Sequence, residues 1–413
     1  ITPELNIQGE FRHRDSEYGD LPFNFDRNAF IEDETNDQTS DMARLGLRYS
    51  PTRRADILLS FIHSERDEKR KQSLPIDDPF FGPVTLANDG RVDEDANQIE
   101  GGGIYRWDRV NLVGGAGYYN VQRELRLSTT FDDIALPDFR QRPEITDSRG
   151  YLYANITYPD PVTWTVGLSG DRYREEDYDR DRINPKLGVQ WTVVPDVRLR
   201  AAYFSVVKPP LVANRTLEPT QVAGFNQFFD DLNGTKSWLY GLGMDIRLAR
   251  RLYGGVEATY RDLDESFRSN GSERSRTAEE TGGRAYLYWA PASEWALSAE
   301  LLYERYQQNA DDFDNPEEVR TYAAPLGVRY FSPSGIFAGA GISFVHQDVK
   351  RPAGVDLPDG DDSFFVLDAG VGYRFPHRRG LVSIGVQNIL DQDFNYQDDS
   401  YRKTGNDPAL SPY

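Results

Sequence analysis

The side chains of this chain that could do chemistry are charges recurring at every second position. Arg198 and Arg200 alternate with Val197, Leu199, Ala201 and Tyr203; Arg44 and Arg48 alternate with Leu45, Leu47 and Tyr49. Asp245 and Arg247 oppose Trp238, Tyr240, Leu242, Met244 and Ile246, while Glu257 and Arg261 oppose Val256, Ala258 and Tyr260. By the same alternation Glu10, Arg12, Glu300, Glu304, Arg329, Asp368 and Arg374 fall on the polar side. A period of two puts such a set on one face of a sheet. Charges of both signs lining an enclosed, hydrated path would pair across strands and select among polar solutes. The fifteen are therefore candidate pore-lining residues, suited to a hydrophilic solute or polymer.

Other chemistries find little support. Without Cys there are no disulfides and no thiolate metal sites. His13, His63, His346 and His377 show no zinc-ligand spacing, so neither metal nor cofactor is expected. No serine lies in a G-x-S-x-G context, and no enzyme is expected. A net charge of −20 argues against a nucleic-acid partner, which needs a basic patch. The acidic runs Glu32-Asp33-Glu34, Asp93-Glu94-Asp95, Asp311-Asp312 and Asp359-Gly360-Asp361-Asp362 read as solvated loop surface, the last lacking the full calcium-loop spacing and the closing Glu. Divalent-ion bridging to lipopolysaccharide is the alternative reading of these runs.

The elements that must position the charges are strands. Mean hydropathy is −0.65 and no run of about 18 apolar residues occurs, which excludes a helical membrane span. Barrel strands escape that test, because lipid-facing and lumen-facing residues alternate. Short turns are predicted at Ser50-Pro51-Thr52, Trp107-Asp108, Pro159-Asp160-Pro161, Val194-Pro195-Asp196, Ala249-Arg250-Arg251, Pro291-Ala292-Ser293, Ser332-Pro333-Ser334 and Pro376-His377-Arg378. Long acidic loops are predicted between them, among them Asp67–Asp95, Leu127–Asp147, Val207–Lys236 and Asp264–Glu280. Phe80-Phe81 and Phe225, Phe228 and Phe229 are apolar clusters in these loops, read as a lid or as loop anchors. Trp107, Trp164, Trp191, Trp289 and Trp295 lie beside short turns, where an aromatic girdle at the periplasmic membrane interface would fall.

This pattern predicts an all-β chain: a transmembrane antiparallel up-and-down β-barrel of the bacterial outer membrane, with short periplasmic turns and long extracellular loops. Residues 1–413 read as one barrel domain in contact with lipid and lipopolysaccharide. Seventeen strands can be read; an even number is usual, so about 18 is expected, with the closing strand missing and 16 as the alternative. The start at Ile1 suggests that a leader or an upstream domain has been removed.

Several stretches resemble the barrel of TonB-dependent receptors. Arg182-Ile183-Asn184-Pro185-Lys186-Leu187-Gly188-Val189 resembles the family's "NPKLG" strand start, followed by a Pro-Asp turn and a strand ending in Lys208-Pro209-Pro210. Leu217-Glu218-Pro219-Thr220 resembles its "L-x-P-E" loop, with Thr220 in place of Glu; Gly385–Phe394 resembles its penultimate strand. The resemblance implies a plug domain and a 22-stranded barrel, whereas strand pattern here starts at residue 3. The expected function is an outer-membrane channel for a hydrophilic solute or polymer, with exopolysaccharide export as one form of it. A TonB-dependent uptake receptor whose plug lies outside this chain, and an adhesive or structural barrel, are the alternatives. A periplasmic partner or a fused upstream domain is a further expected partner.

Overall fold

A computed structural model describes residues 4–20, 25, 31, 33–78, 82–132, 134–175, 178–269, 272–309, 315–352 and 359–398. The alternation resolves into long strands paired with their sequence neighbours. The series opens with β1 (Leu5–Tyr18), β2 (Thr35–Thr52), β3 (Ala55–Asp78), β4 (Gly82–Arg106) and β5 (Val110–Phe131). The short strands β6 (Ile134–Ala135) and β7 (Phe139–Gln141) fold back on β5. β8 (Glu144–Thr157), β9 (Val162–Glu175), β10 (Tyr178–Val194) and β11 (Val197–Val207) continue the sheet. The chain then leaves it for residues 208–235, which carry the small hairpin β12 (Gln221–Val222) and β13 (Phe225–Asn226). β14 (Lys236–Ala249), β15 (Leu252–Ser269), β16 (Ser272–Trp289) and β17 (Trp295–Gln308) resume it. β18 (Glu318–Phe331), β19 (Ile336–Lys350), β20 (Gly360–Arg374) and β21 (Leu381–Val386) complete it.

Every pairing is antiparallel, and seven of the eight short turns fall where the sequence places them; the first falls at Arg53-Arg54, just past Ser50-Pro51-Thr52, which still belongs to β2. Among the described residues β1 pairs only with β2 and β21 only with β20, so the first and last strands do not meet as a ladder. The sheet nevertheless curls strongly. Phe25, between β1 and β2, donates its N–H to the Tyr396 carbonyl (3.1 Å) and packs with Leu263, Ala278, Tyr306, Val319 and Val349 of β15 to β19.

The two faces are inverted relative to a water-soluble sheet. The convex face exposes large apolar side chains, among them Phe11 (72%), Ile384 (70%), Leu242 (67%) and Leu301 (64%). The interior face buries Glu100, Arg149, Asp171, Lys186 and Arg261. An apolar exterior of this extent would associate in water but carries no penalty against lipid tails.

Several predicted loops are instead tall hairpins. β3 and β4 run without interruption through most of Asp67–Asp95, and β15 and β16 through most of Asp264–Glu280; β5 likewise extends to Phe131 in the predicted loop Leu127–Asp147. At 24 residues β3 is about 80 Å long at roughly 3.3 Å per residue, well beyond the 9–11 residues a bilayer requires. The polar composition reads as loop, but in register it forms cross-strand ion pairs. Arg91 Nη2 lies 2.6 Å from Asp67 Oδ2, and Arg123 Nη2 lies 2.5 Å from Glu94 Oε2. Phe80 and Phe81 lie outside the described residues.

Candidate functional site

Residues 208–235 correct the expectation of an outward loop: they fold back over the interior face as a strap. Pro209 and Pro210 end β11, because proline has no N–H to continue a ladder. The strap's two ends are tied together, Lys208 N–H to the Thr235 carbonyl (2.8 Å) and Gly234 N–H to the Lys208 carbonyl (2.9 Å). Lys208 Nζ donates to the Phe229 carbonyl at 2.5 Å. Burial disfavours its charged form and holds its pKa below the usual lysine value.

From there the strap reaches strands far apart in the sheet. Val212 N–H donates to Gln98 Oε1 (2.9 Å), and Gln98 Nε2 donates to the Arg215 carbonyl (2.7 Å). The Arg215 guanidinium grips Glu10 of β1 with both ends, at 3.0 and 3.3 Å. Glu100 of β4 accepts from Thr216 Oγ1 (2.7 Å), the Leu217 N–H (3.1 Å) and Tyr119 OH (2.8 Å). On the far side Arg261 of β15 binds Asp231, with its guanidinium 3.8 Å from the centre of the Phe229 ring.

The middle of the strap sits on glycines. Ala223 (φ 50°) and Gly224 (φ 90°) close the β12–β13 hairpin with positive φ at both turn positions, as a type I′ turn requires. The hairpin lies close against β10 and β14. A Cβ at Gly188 would stand 2.8 Å from Ala223 Cβ, and one at Gly241 would stand 2.6 Å from the Phe225 ring. Small residues on the interior face thus leave the space that the hairpin fills.

Beside it lies a fully buried charge network. Arg149 of β8 donates from Nε to Asp171 of β9 at 2.7 Å, and its Nη1 lies 3.2 Å from Glu218 Oε2 in the strap. Asn184 braces Asp171, and Glu218 Oε1 accepts a 2.5 Å hydrogen bond from Tyr153. Lys186 Nζ donates to the Ser205 carbonyl at 2.6 Å. Asp147, also fully buried, has Arg149 Nε only at 4.0 Å. Removing these charges from water is costly unless they are paired, and Glu218 joins the strap to this network as a buried partner of Arg149. Its chemistry is the fixing of charge and of the strap.

The structure brings some predicted lining residues together. Arg12 and Arg44 flank Glu10 at 3.1 and 3.8 Å, and Arg200 bridges Asp245 and Glu257 at 2.9 Å each. Arg48 meets Asp56 (3.0 Å), Arg247 meets Asp196 (2.5 Å) and Glu300 meets Arg284 (2.8 Å). Asp368 accepts the Asn388 N–H at 2.9 Å. Arg198, Glu304, Arg329 and Arg374 form no ion pair among the described residues. Sequence reasoning missed Glu100, Arg149, Asp171, Lys186 and Glu218. The signal was partly present, since Lys186 and Glu218 stand in the two quoted motifs; nothing local marks Arg149 or Asp171. The five turn-flanking tryptophans are 44–48% exposed.

Residues 5–389 match the family described as TonB dependent receptor-like, beta-barrel. No curated protein matches. Among solved structures, the ferripyoverdine receptor of the outer membrane of Pseudomonas aeruginosa superposes with a TM-score of 0.67 at 13% identity, over 97% of this chain and 61% of that one. The ferric citrate transporter FecA gives a TM-score of 0.65 at 15% identity, over 96% of this chain and 65% of its own. The ferric-catecholate import receptor Fiu from K12 E. coli gives 0.63 at 13% identity, over 94% of this chain and 68% of its own. The chain thus spans less than two thirds of the length of the first two. Family and neighbours are transporters and receptors, not enzymes. By the match over nearly its whole length, this chain belongs to the TonB-dependent receptor-like β-barrel family of the bacterial outer membrane.

Proposed function

We propose that the chain is the barrel part of an uptake receptor that admits a polar solute, with metal–chelate complexes as the solute class. The observation that carries this reading is the strap. It crosses the interior from Glu10 on β1 to Arg261 on β15 and is locked there by buried ion pairs. A channel for a threading polymer needs an unobstructed bore, so the strap weighs against the expected exopolysaccharide export. A receptor instead needs a path that is narrowed at rest and polar around the solute. The charges at Arg200, Asp245 and Glu257, and the charged hairpins above them, supply that lining. The names of the structural neighbours, a ferric citrate transporter and a ferric-catecholate import receptor, point to the same class of solute.

The test is paired. The purified chain in detergent is titrated with ferric citrate and with a ferric catecholate while tryptophan fluorescence is followed, and its conductance is recorded in a planar bilayer. Saturable quenching by a chelate together with low steady conductance is the expected result. A large steady conductance with no chelate response would make the chain an open channel and overturn the proposal.

A further inference from the structure

We propose that the convex face carries a divalent-metal site formed by His63, Glu65 and Asp95, for an ion of the zinc class. His63 and Glu65 stand on β3, and Asp95 faces Glu65 directly across the β3–β4 ladder. One ligand atom from each of the three lies within 4.8 Å of the others. His63 Nε2 is 3.4 Å from Glu65 Oε1, and its Nδ1 is 3.9 Å from Asp95 Oδ2. Asn97 supports both sides, with Oδ1 3.0 Å from His63 Nδ1 and Nδ2 donating to Asp95 Oδ1 at 2.8 Å. One imidazole nitrogen with two carboxylate oxygens is a donor set for a borderline divalent ion, and the amide is the kind of outer partner that orients such ligands.

A second observation points to a cation. The register aligns His13, Asp41, Glu65 and Asp95 in one row across β1 to β4. Three carboxylates therefore stand side by side on adjacent strands, an arrangement that destabilises a sheet unless the charge is compensated. Higher on the same hairpin, carboxylates meet guanidinium groups: Asp67 and Asp93 share Arg91, at 2.6 and 3.2 Å. Asp41, Glu65 and Asp95 form no ion pair with Lys or Arg among the described residues; their partners are His13 and His63. Two imidazoles cannot neutralise three carboxylates even when both are protonated, so the row keeps a negative excess that a divalent ion would offset. The row stands just above the exposed apolar residues Phe11, Phe61 and Ile99, on the side away from the short turns. A metal held there by three protein ligands keeps a position open to water or to a phosphate oxygen of a membrane headgroup.

The site is independent of the uptake reading, and its probe is zinc chloride alone. Calorimetric titration of the full chain in detergent should show one saturable site, and Co²⁺ in its place should give the visible absorption of a nitrogen-ligated centre. His63→Ala should weaken binding at least ten-fold and abolish the Co²⁺ spectrum; Glu65→Gln should weaken it at least three-fold with the strand content unchanged by circular dichroism. His346→Ala, on β19, should bind as the parent does. Absence of saturable Zn²⁺ binding by the parent, or a His63→Ala variant that binds as tightly as the parent, would overturn the proposal.

Discussion

Replacing Glu218 by alanine tests whether the strap is held by the buried network. The side chain accepts a hydrogen bond from Tyr153 OH and sits 3.2 Å from Arg149 Nη1, all three being buried. Its removal leaves the Arg149 guanidinium in an interior with Asp171 as its one close carboxylate and the Val207 carbonyl, at 3.1 Å, as a neutral acceptor. Breaking a buried pair by deleting one member costs about 3–5 kcal/mol. The convex face and the ladders are untouched, so the loss falls on the seating of the strap. At about 1.4 kcal/mol per factor of ten, the population with the strap released should rise by about 10² to 4 × 10³. The reporter is built in: between Pro209 and Thr235 the only tryptic site is Arg215, which is held on Glu10 at 3.0 Å when the strap is seated. Under conditions where cleavage follows the open population, the initial rate of cutting after Arg215 should rise in the same proportion. Glu218→Gln, which keeps an acceptor for Tyr153, should fall between the parent and the alanine variant. A rate of cleavage within about two-fold of the parent, in a chain that remains folded, would refute the view that this network seats the strap.

Gly241→Val should displace the β12–β13 hairpin, because its new side chain meets the Phe225 ring at 2.6 Å; overpacking of this kind costs about 1–3 kcal/mol, and bilayer conductance should increase. No change in conductance would count against the hairpin as the constriction. Leu152→Arg, on the convex face of β8 opposite Leu168, should destabilise the chain in vesicles by about 2–4 kcal/mol in urea unfolding if that residue lies near the bilayer midplane. Brominated lipids should quench the fluorescence of Trp107, Trp164, Trp191, Trp289 and Trp295 most when the bromines lie near the headgroups; strongest quenching from mid-chain bromines would remove the aromatic girdle from the short-turn rim.

Much of this protein is legible in one dimension because its dominant constraint is local. Strand alternation, a turn every few tens of residues and the pairing of sequence neighbours depend on no distant contact. Val197–Tyr203 already shows its two faces in the sequence, and Trp295 already stands beside its turn. The inverted distribution of apolar and charged residues likewise follows from period-two patterning and needs no knowledge of the ladder register.

Two features required the tertiary structure. Polar composition between Asp67 and Asp95 signals a loop until the register sets Asp67 and Asp93 around Arg91, since an ion pair between strands depends on which residues face each other. The strap is the stronger case. Nothing local distinguishes residues 208–235 from an outward loop; their inward course is decided by Glu10 and Glu100 on the first strands, Arg149 in the middle and Arg261 on a later one. Those partners lie up to 205 positions from the strap residues they hold and meet them only once the sheet has curled. Thus the sequence alone determines the two-faced sheet and its neighbour-to-neighbour order. The course of the strap across its interior is decided by the curl, because the cost of burying those charges is offset only when their partners on distant strands are brought together.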